Sequence, residues 1–243
     1  MILINLPVFL SIDRLAHKYP DLNPYNFVGN NPIRNIDPNG DSIVVTNAKQ
    51  GMSAKNKDRF EALVNNSFNN KINASLTTTG ALKLSFAEGQ SLETLTQEEV
   101  AFYSVINQAS NAIDVNGNAV DVELKVVFSP QGYEKGLVLI GQFETGKIDL
   151  DDIENNFDIN SEDNTKLTQR ALFGHEIYEQ YLKQSGQQTT YGAAHAGAMT
   201  EEDKISGMQR QDGGSKAWVE AGKLKGKIYT QTLDGKIFNI YAD

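Results

Sequence analysis

A histidine followed at once by one glutamate, and by a second glutamate three residues later, is a spacing that can do chemistry. In this chain it reads His175-Glu176-Ile177-Tyr178-Glu179. On a helix, His175 and Glu179 stand at i and i+4 on one face, with β-carbons about 6 Å apart. Two side chains so placed can share one metal ion. Glu176 lies about 100° further round the helix, where it can reach a water at that metal without being a ligand. The chain has no cysteine, so disulfides and thiolate metal sites are excluded. Any metal must be held by imidazoles and carboxylates, and the histidines number three: His17, His175 and His195. The residues alone also allow a plainer reading. His175 could simply bond Glu179 on the helix face, and His195 could pack within the small-residue run from Ala193 to Met199.

The elements that must position these residues follow from periodicity. Leu167, Ala171, Leu172, His175, Tyr178 and Leu182 recur at helical spacing and predict a helix over about 166–184, ended by Gly186. A second, shorter helix is expected over about 192–205, and the glycine-bearing turn between the two allows them to pack antiparallel. Upstream, residues 42–46 read as a strand, 56–66 as a helix and 74–86 as a hairpin turning at Gly80. Thr96-Gln97-Glu98-Glu99 is a capping box that opens a helix over 96–112. Residues 120–128 alternate as a strand, and 136–150 predict a strand pair or one long strand. Residues 151–164 carry Asp151, Asp152, Glu154, Asp158, Glu162 and Asp163. Without the glycine-centred calcium pattern they are expected to form a solvated loop. Residues 207–215 are expected to be a loop, and the chain closes with a hairpin around Asp234-Gly235. Strands and helices do not alternate strictly, so the expected class is α+β with a mixed or antiparallel sheet.

The composition limits the partners. The 243 residues are 40% hydrophobic and 22% charged, ordinary globular usage, with a net charge of −9. An acidic chain without a basic, aromatic-interleaved stripe argues against nucleic acid. The short basic run Lys223, Lys225 and Lys227 is expected on a solvated strand or loop face. No stretch reaches the length of a membrane span. The apolar start MILINLPVFL lacks a basic region and a cleavage site, so no signal peptide is expected.

Residues 12–41 are of another kind. Four of the chain's six prolines fall there, beside the turn signals Asn30-Asn31-Pro32 and Asp37-Pro38-Asn39-Gly40. A strand-like composition starts abruptly after Asp41, which predicts a boundary between a segment 1–41 and a domain 42–243. The order Asp13-Arg14-Leu15-Ala16, Lys18-Tyr19-Pro20, Pro24-Tyr25-Asn26, Asn30-Asn31-Pro32 and Ile36-Asp37-Pro38-Asn39-Gly40 resembles the end of an Rhs repeat-associated core. That resemblance implies that residues 42–243 are a variable C-terminal toxin domain. It further implies export as part of a larger bacterial Rhs-type protein, and an immunity protein as partner.

The helix motif looks like the zincin HExxH helix with Glu179 in place of the second histidine. It is also similar to an arrangement among Rhs-associated toxins, HExxE and an aromatic followed by a short helix bearing Ala-His, in this sequence Tyr191-Gly192-Ala193-Ala194-His195. The resemblance implies one zinc ion held by His175, Glu179 and His195, two histidines and a glutamate being an established catalytic set. It implies Glu176 as general base in hydrolysis of a protein or peptide substrate. Tyr178, Tyr181 and Tyr191 are candidates for an oxyanion or substrate contact, or for packing. The strand within 136–143 could align an extended peptide by edge pairing. Two alternatives stand beside this: a metal-dependent nuclease toxin, and a non-enzymatic binding module with structural histidines.

Overall fold

The computed structural model describes residues 42–48, 51–128, 140–155, 162–210, 216–220, 223–232 and 237–242. All belong to one compact unit, Gly40–Asp243. The turn-rich segment 1–41, with His17, lies outside the described residues.

Four strands form the sheet nearest the motif: β1 (Ile43–Val45), β4 (Val122–Val127), β6 (Lys147–Asp149) and β5 (Gly141–Gln142), in the order β1-β4-β6-β5. The first three run parallel and β5 is antiparallel to β6. The sheet is therefore mixed and the class α+β, as the irregular alternation of elements predicts. Along β4, Val122, Leu124 and Val126 are buried while Glu123 and Lys125 face outward. This two-residue period marks a sheet with one covered face. The cover comes from α2 (Gln97–Ser110) and α4 (Glu162–Gln184), and α1 (Ala54–Ser67) packs on α4 and on the hairpin strand β2 (Ile72–Leu76). Phe60 of α1 and Phe102 of α2 meet Phe173 of α4, with ring centroids 5.7 and 6.1 Å apart. The predicted capping box at α2 forms as read, Thr96 and Glu99 bonding each other's backbone N–H. The hairpin β2 (Ile72–Leu76) and β3 (Leu82–Phe86) forms in the predicted place. Its turn residue Gly80, at φ +82°, accepts from Val45 N–H on β1, and a side chain there would strike the Val45 carbonyl.

Two expectations need correction. The acidic stretch is not a solvated loop at its start: Leu150–Asn155 is a short helix, α3, and Asp151 and Asp152 are buried. The cause is partnering. Asp152 accepts from Ile140 N–H at 3.0 Å, and Arg59 of α1 pairs with both Asp151 and Glu154. Ile153 meanwhile points into the core. Residues 207–215, read as a loop, include a strand, β7 (Met208–Arg210). It pairs with β9 (Lys223–Thr232), which also pairs with β8 (Lys216–Glu220) and β10 (Ile237–Ala242). The closing hairpin β9–β10 is the predicted one, and the basic run lies on β9.

The helix bearing the motif is deeply enclosed along its middle. From Arg170 to Gln180 almost every residue of α4 is buried. Its C-terminal half is tied to the sheet by two carboxamides and a lysine. Gln184 both accepts from and donates to the backbone of Glu123, in the manner of a neighbouring strand. Gln180 and Lys183 donate to the Phe143 carbonyl in the β5–β6 turn. Gly186, at φ +75°, follows the helix, and α5 (Tyr191–Ser206) returns antiparallel, ending at the left-handed Gly207. The contacts that set the direction are Gly174 beside Ile205 and Leu182 beside Gly197.

Candidate metal centre

The antiparallel return brings three predicted residues to one point. His175 and Glu179, one turn apart on α4, meet His195 from the first turns of α5. His175 Nε2 lies 3.2 Å from Glu179 Oε2 and 3.1 Å from His195 Nδ1, and His195 Nδ1 lies 3.4 Å from Glu179 Oε2. Three atoms of ligand type, His175 Nε2 once deprotonated, thus form a nearly equilateral triangle. A tetrahedral zinc site with bonds of about 2.0–2.1 Å has ligand–ligand edges of about 3.3–3.4 Å. The residues fit such an ion in donor type, number and spacing. Among the described residues they are a group of side chains that could hold a metal ion, their ligand atoms all within 4.8 Å of one another.

Close helix packing makes the triangle possible. The face of α5 toward α4 is made of Ala194, Ala198, Glu202 and Ile205, all buried at a helical repeat. On α4, Gly174 faces Ile205 and Phe102 so closely that a β-carbon would overlap Ile205 Cδ1. Gly197 sits against Leu182, where a β-carbon would lie 2.7 Å from its Cδ1.

Burial and charge act strongly on the site. His175 and Glu179 are 2% and 3% exposed. For the metal-free protein, burial pushes the His175 pKa down, but the Glu179 and Glu202 carboxylates outweigh it and lift it to about 9. Burial likewise pushes Glu179 up, yet His175 and His195 prevail and bring it down to about 2. In the metal-free protein His175 is therefore held charged, between the carboxylates of Glu179 and Glu202.

The other candidates occupy distinct places. Glu176 is half-buried and turned toward β5, its carboxylate lying where a side chain on Gly141 would be. β5, inside the strand region expected over 136–143, is the outer strand of its sheet among the described residues. Residues 136–139 lie outside the described residues. Tyr191 is 52% exposed, and its ring lies over that of His195 at 4.9 Å and meets Phe143 edge-on at 5.8 Å. Tyr178 packs beside Tyr181 and Gly197. Burial, then Glu201 and Tyr181, raise its pKa, so its phenol stays a donor at neutral pH.

Two residues escape sequence reasoning. Glu202 on α5 places Oε2 2.7 Å from His175 Nδ1, the nitrogen opposite the triangle. The one sequence signal is its spacing, seven residues after His195 and hence on the same face of α5. Gly141 carries no signal in the sequence, because its role depends on where Glu176 lands. Compared with known protein families, characterised proteins and solved structures, the chain matches none.

Proposed function

We propose that this chain is a zinc-dependent peptidase, with His175, Glu179 and His195 as ligands and Glu176 as general base. The observation that carries the reading is the triangle of donor atoms with edges of 3.1–3.4 Å, beside a further carboxylate that is not part of it. A zinc ion held there would supply Lewis acidity, lowering the pKa of a water and polarising a peptide carbonyl. The chain's own groups do the rest. Glu176 accepts a proton at its carboxylate from the attacking water and passes it to the leaving amine nitrogen. β5, the outer strand of its sheet among the described residues and the one against which Glu176 packs, offers backbone groups to align an extended peptide. Tyr191, exposed and stacked on His195, is the proposed substrate contact, and Tyr178 is a second donor for developing negative charge. Delivery as the C-terminal part of an Rhs-type protein belongs to the same proposal, supported by the resemblance of residues 12–41.

The test joins metal content to cleavage. Elemental analysis of the purified protein should give one zinc per chain, lost in His175→Ala and His195→Ala. A quenched-fluorescence peptide library should be cleaved by the zinc-loaded protein. Glu176→Gln should keep the zinc and lose cleavage by about 100-fold or more. Full cleavage by that variant would mean that Glu176 is not the general base.

A further inference from the structure

The His175–Glu202 contact has no part in holding an ion directly, yet it bears on which nitrogen of His175 can. A neutral imidazole has one N–H and one lone pair, and the partner of one nitrogen determines the state of the other. Glu202 Oε2 lies 2.7 Å from Nδ1, a charge-assisted length, with Glu202 only 1% exposed. In the metal-free protein both ring nitrogens face a carboxylate, Nε2 that of Glu179 at 3.2 Å; with a metal in the triangle Glu179 becomes a ligand, Glu202 still accepts, and Nδ1 keeps its proton. The lone pair then falls on Nε2, the corner of the triangle. Glu202 also sits among the buried residues of α5, the others being Ala194, Ala198, Ile205 and Ser206, and a buried carboxylate there adds nothing to apolar packing. It stands about two turns from His195, so one helix supplies both a donor atom and the group that turns the facing histidine.

We propose that Glu202 is the positioning residue of this centre, fixing the tautomer and ring orientation of His175 for metal. The inference rests on the zinc-site proposal. It predicts a loss of metal affinity without a loss of fold, the effect typical of carboxylates that back a ligating histidine. Zinc affinity is measured by chelator competition on the full chain, with circular dichroism as the check on folding. Glu202→Ala should bind zinc about 10- to 100-fold more weakly. Glu202→Gln, which keeps an acceptor oxygen but no charge, should fall between it and the native protein. Cobalt in place of zinc should give a visible spectrum that shifts in Glu202→Ala and returns toward native in Glu202→Gln, a change that mere loosening of α5 would not rescue. If Glu202→Ala does not fold, the isosteric Glu202→Gln decides alone by its affinity. A folded variant that binds zinc as tightly as the native protein, with an unchanged cobalt spectrum, overturns the role of Glu202. A native protein that binds no zinc overturns the metal centre itself, and the two failures are distinct.

Discussion

Raising the pH of the metal-free protein should destabilise it, and His175 sets both the window and the size. The ring is buried between Glu179 and Glu202, and its folded pKa stands at about 9 against 6.5 for the ordinary side chain. A group with a raised folded pKa adds stability that is complete below the unfolded value and lost as pH climbs through the folded one. The loss should therefore run from pH 6.5 to about 9. Moving the pKa that far corresponds to on the order of 3 kcal/mol at roughly 1.4 kcal/mol per pH unit. Glu179 works in the opposite sense. Its folded pKa of about 2, below the ordinary 4.5, adds stability that is complete above 4.5 and lost as pH falls toward 2. Urea unfolding with a chelator present, at about pH 6 and about pH 9.5, on either side of the window, measures the effect. With a slope of about 2–3 kcal/mol per molar urea, the midpoint should drop by about 1 M. Other groups titrate as well, so the same pair of curves for His175→Gln supplies the baseline. Zinc reverses the trend, because the metal needs a deprotonated Nε2. Its affinity should climb about tenfold per pH unit until about pH 9 is approached. A native midpoint that tracks the His175→Gln baseline across this window would refute the placing of a charged imidazole between two carboxylates.

Two further perturbations separate the site from the scaffold. Gly141→Ala places a β-carbon in the space of the Glu176 carboxylate; kcat for peptide cleavage should fall by about 100-fold, as for a base displaced by about 1 Å, while elemental analysis still finds zinc. Phe173→Ala removes a fully buried ring that joins Phe60 and Phe102 beneath the motif; urea unfolding should show a loss of about 3–5 kcal/mol, with the zinc-loaded protein retaining activity at low temperature.

The local signals were legible where one chain segment decides the outcome. The i, i+4 spacing of His175 and Glu179 needs only a helix, and Leu167 to Leu182 carry that period. The capping box at Thr96 and the Gly80 hairpin are likewise self-contained. What escaped reading depends on distant partners. Asp151 and Asp152 look like solvated carboxylates until Arg59 and the Ile140 amide, 92 and 12 residues away, satisfy them. Ile140 adopts φ +61°, a conformation that a β-branched residue rarely takes. It is held there between Asp152 and the Asp149 amide. No local pattern announces a backbone fixed from two sides in this way. Glu202 was hidden for the same reason: its partner is on another helix.

The small residues of α5 read in the sequence as a featureless alanine-rich stretch, yet they decide which atoms can meet. His175 reaches the triangle with Nε2, the far nitrogen of its ring, whereas His195 uses Nδ1, the nitrogen nearer its own backbone. A helix that contributes a near nitrogen must stand close. Ala194 and Ala198, both fully buried, and Gly197 against Leu182 let α5 stand that close to α4. A larger side chain at any of the three would drive the helices apart, since a packed interior has no void to absorb it. The His195 corner of the triangle would then be carried away from the other two. The Glu202 bond to His175 would lengthen in the same movement, because both residues ride on one rigid helix. The donor triangle and the helix interface are therefore one unit, its tolerance set by a few small side chains.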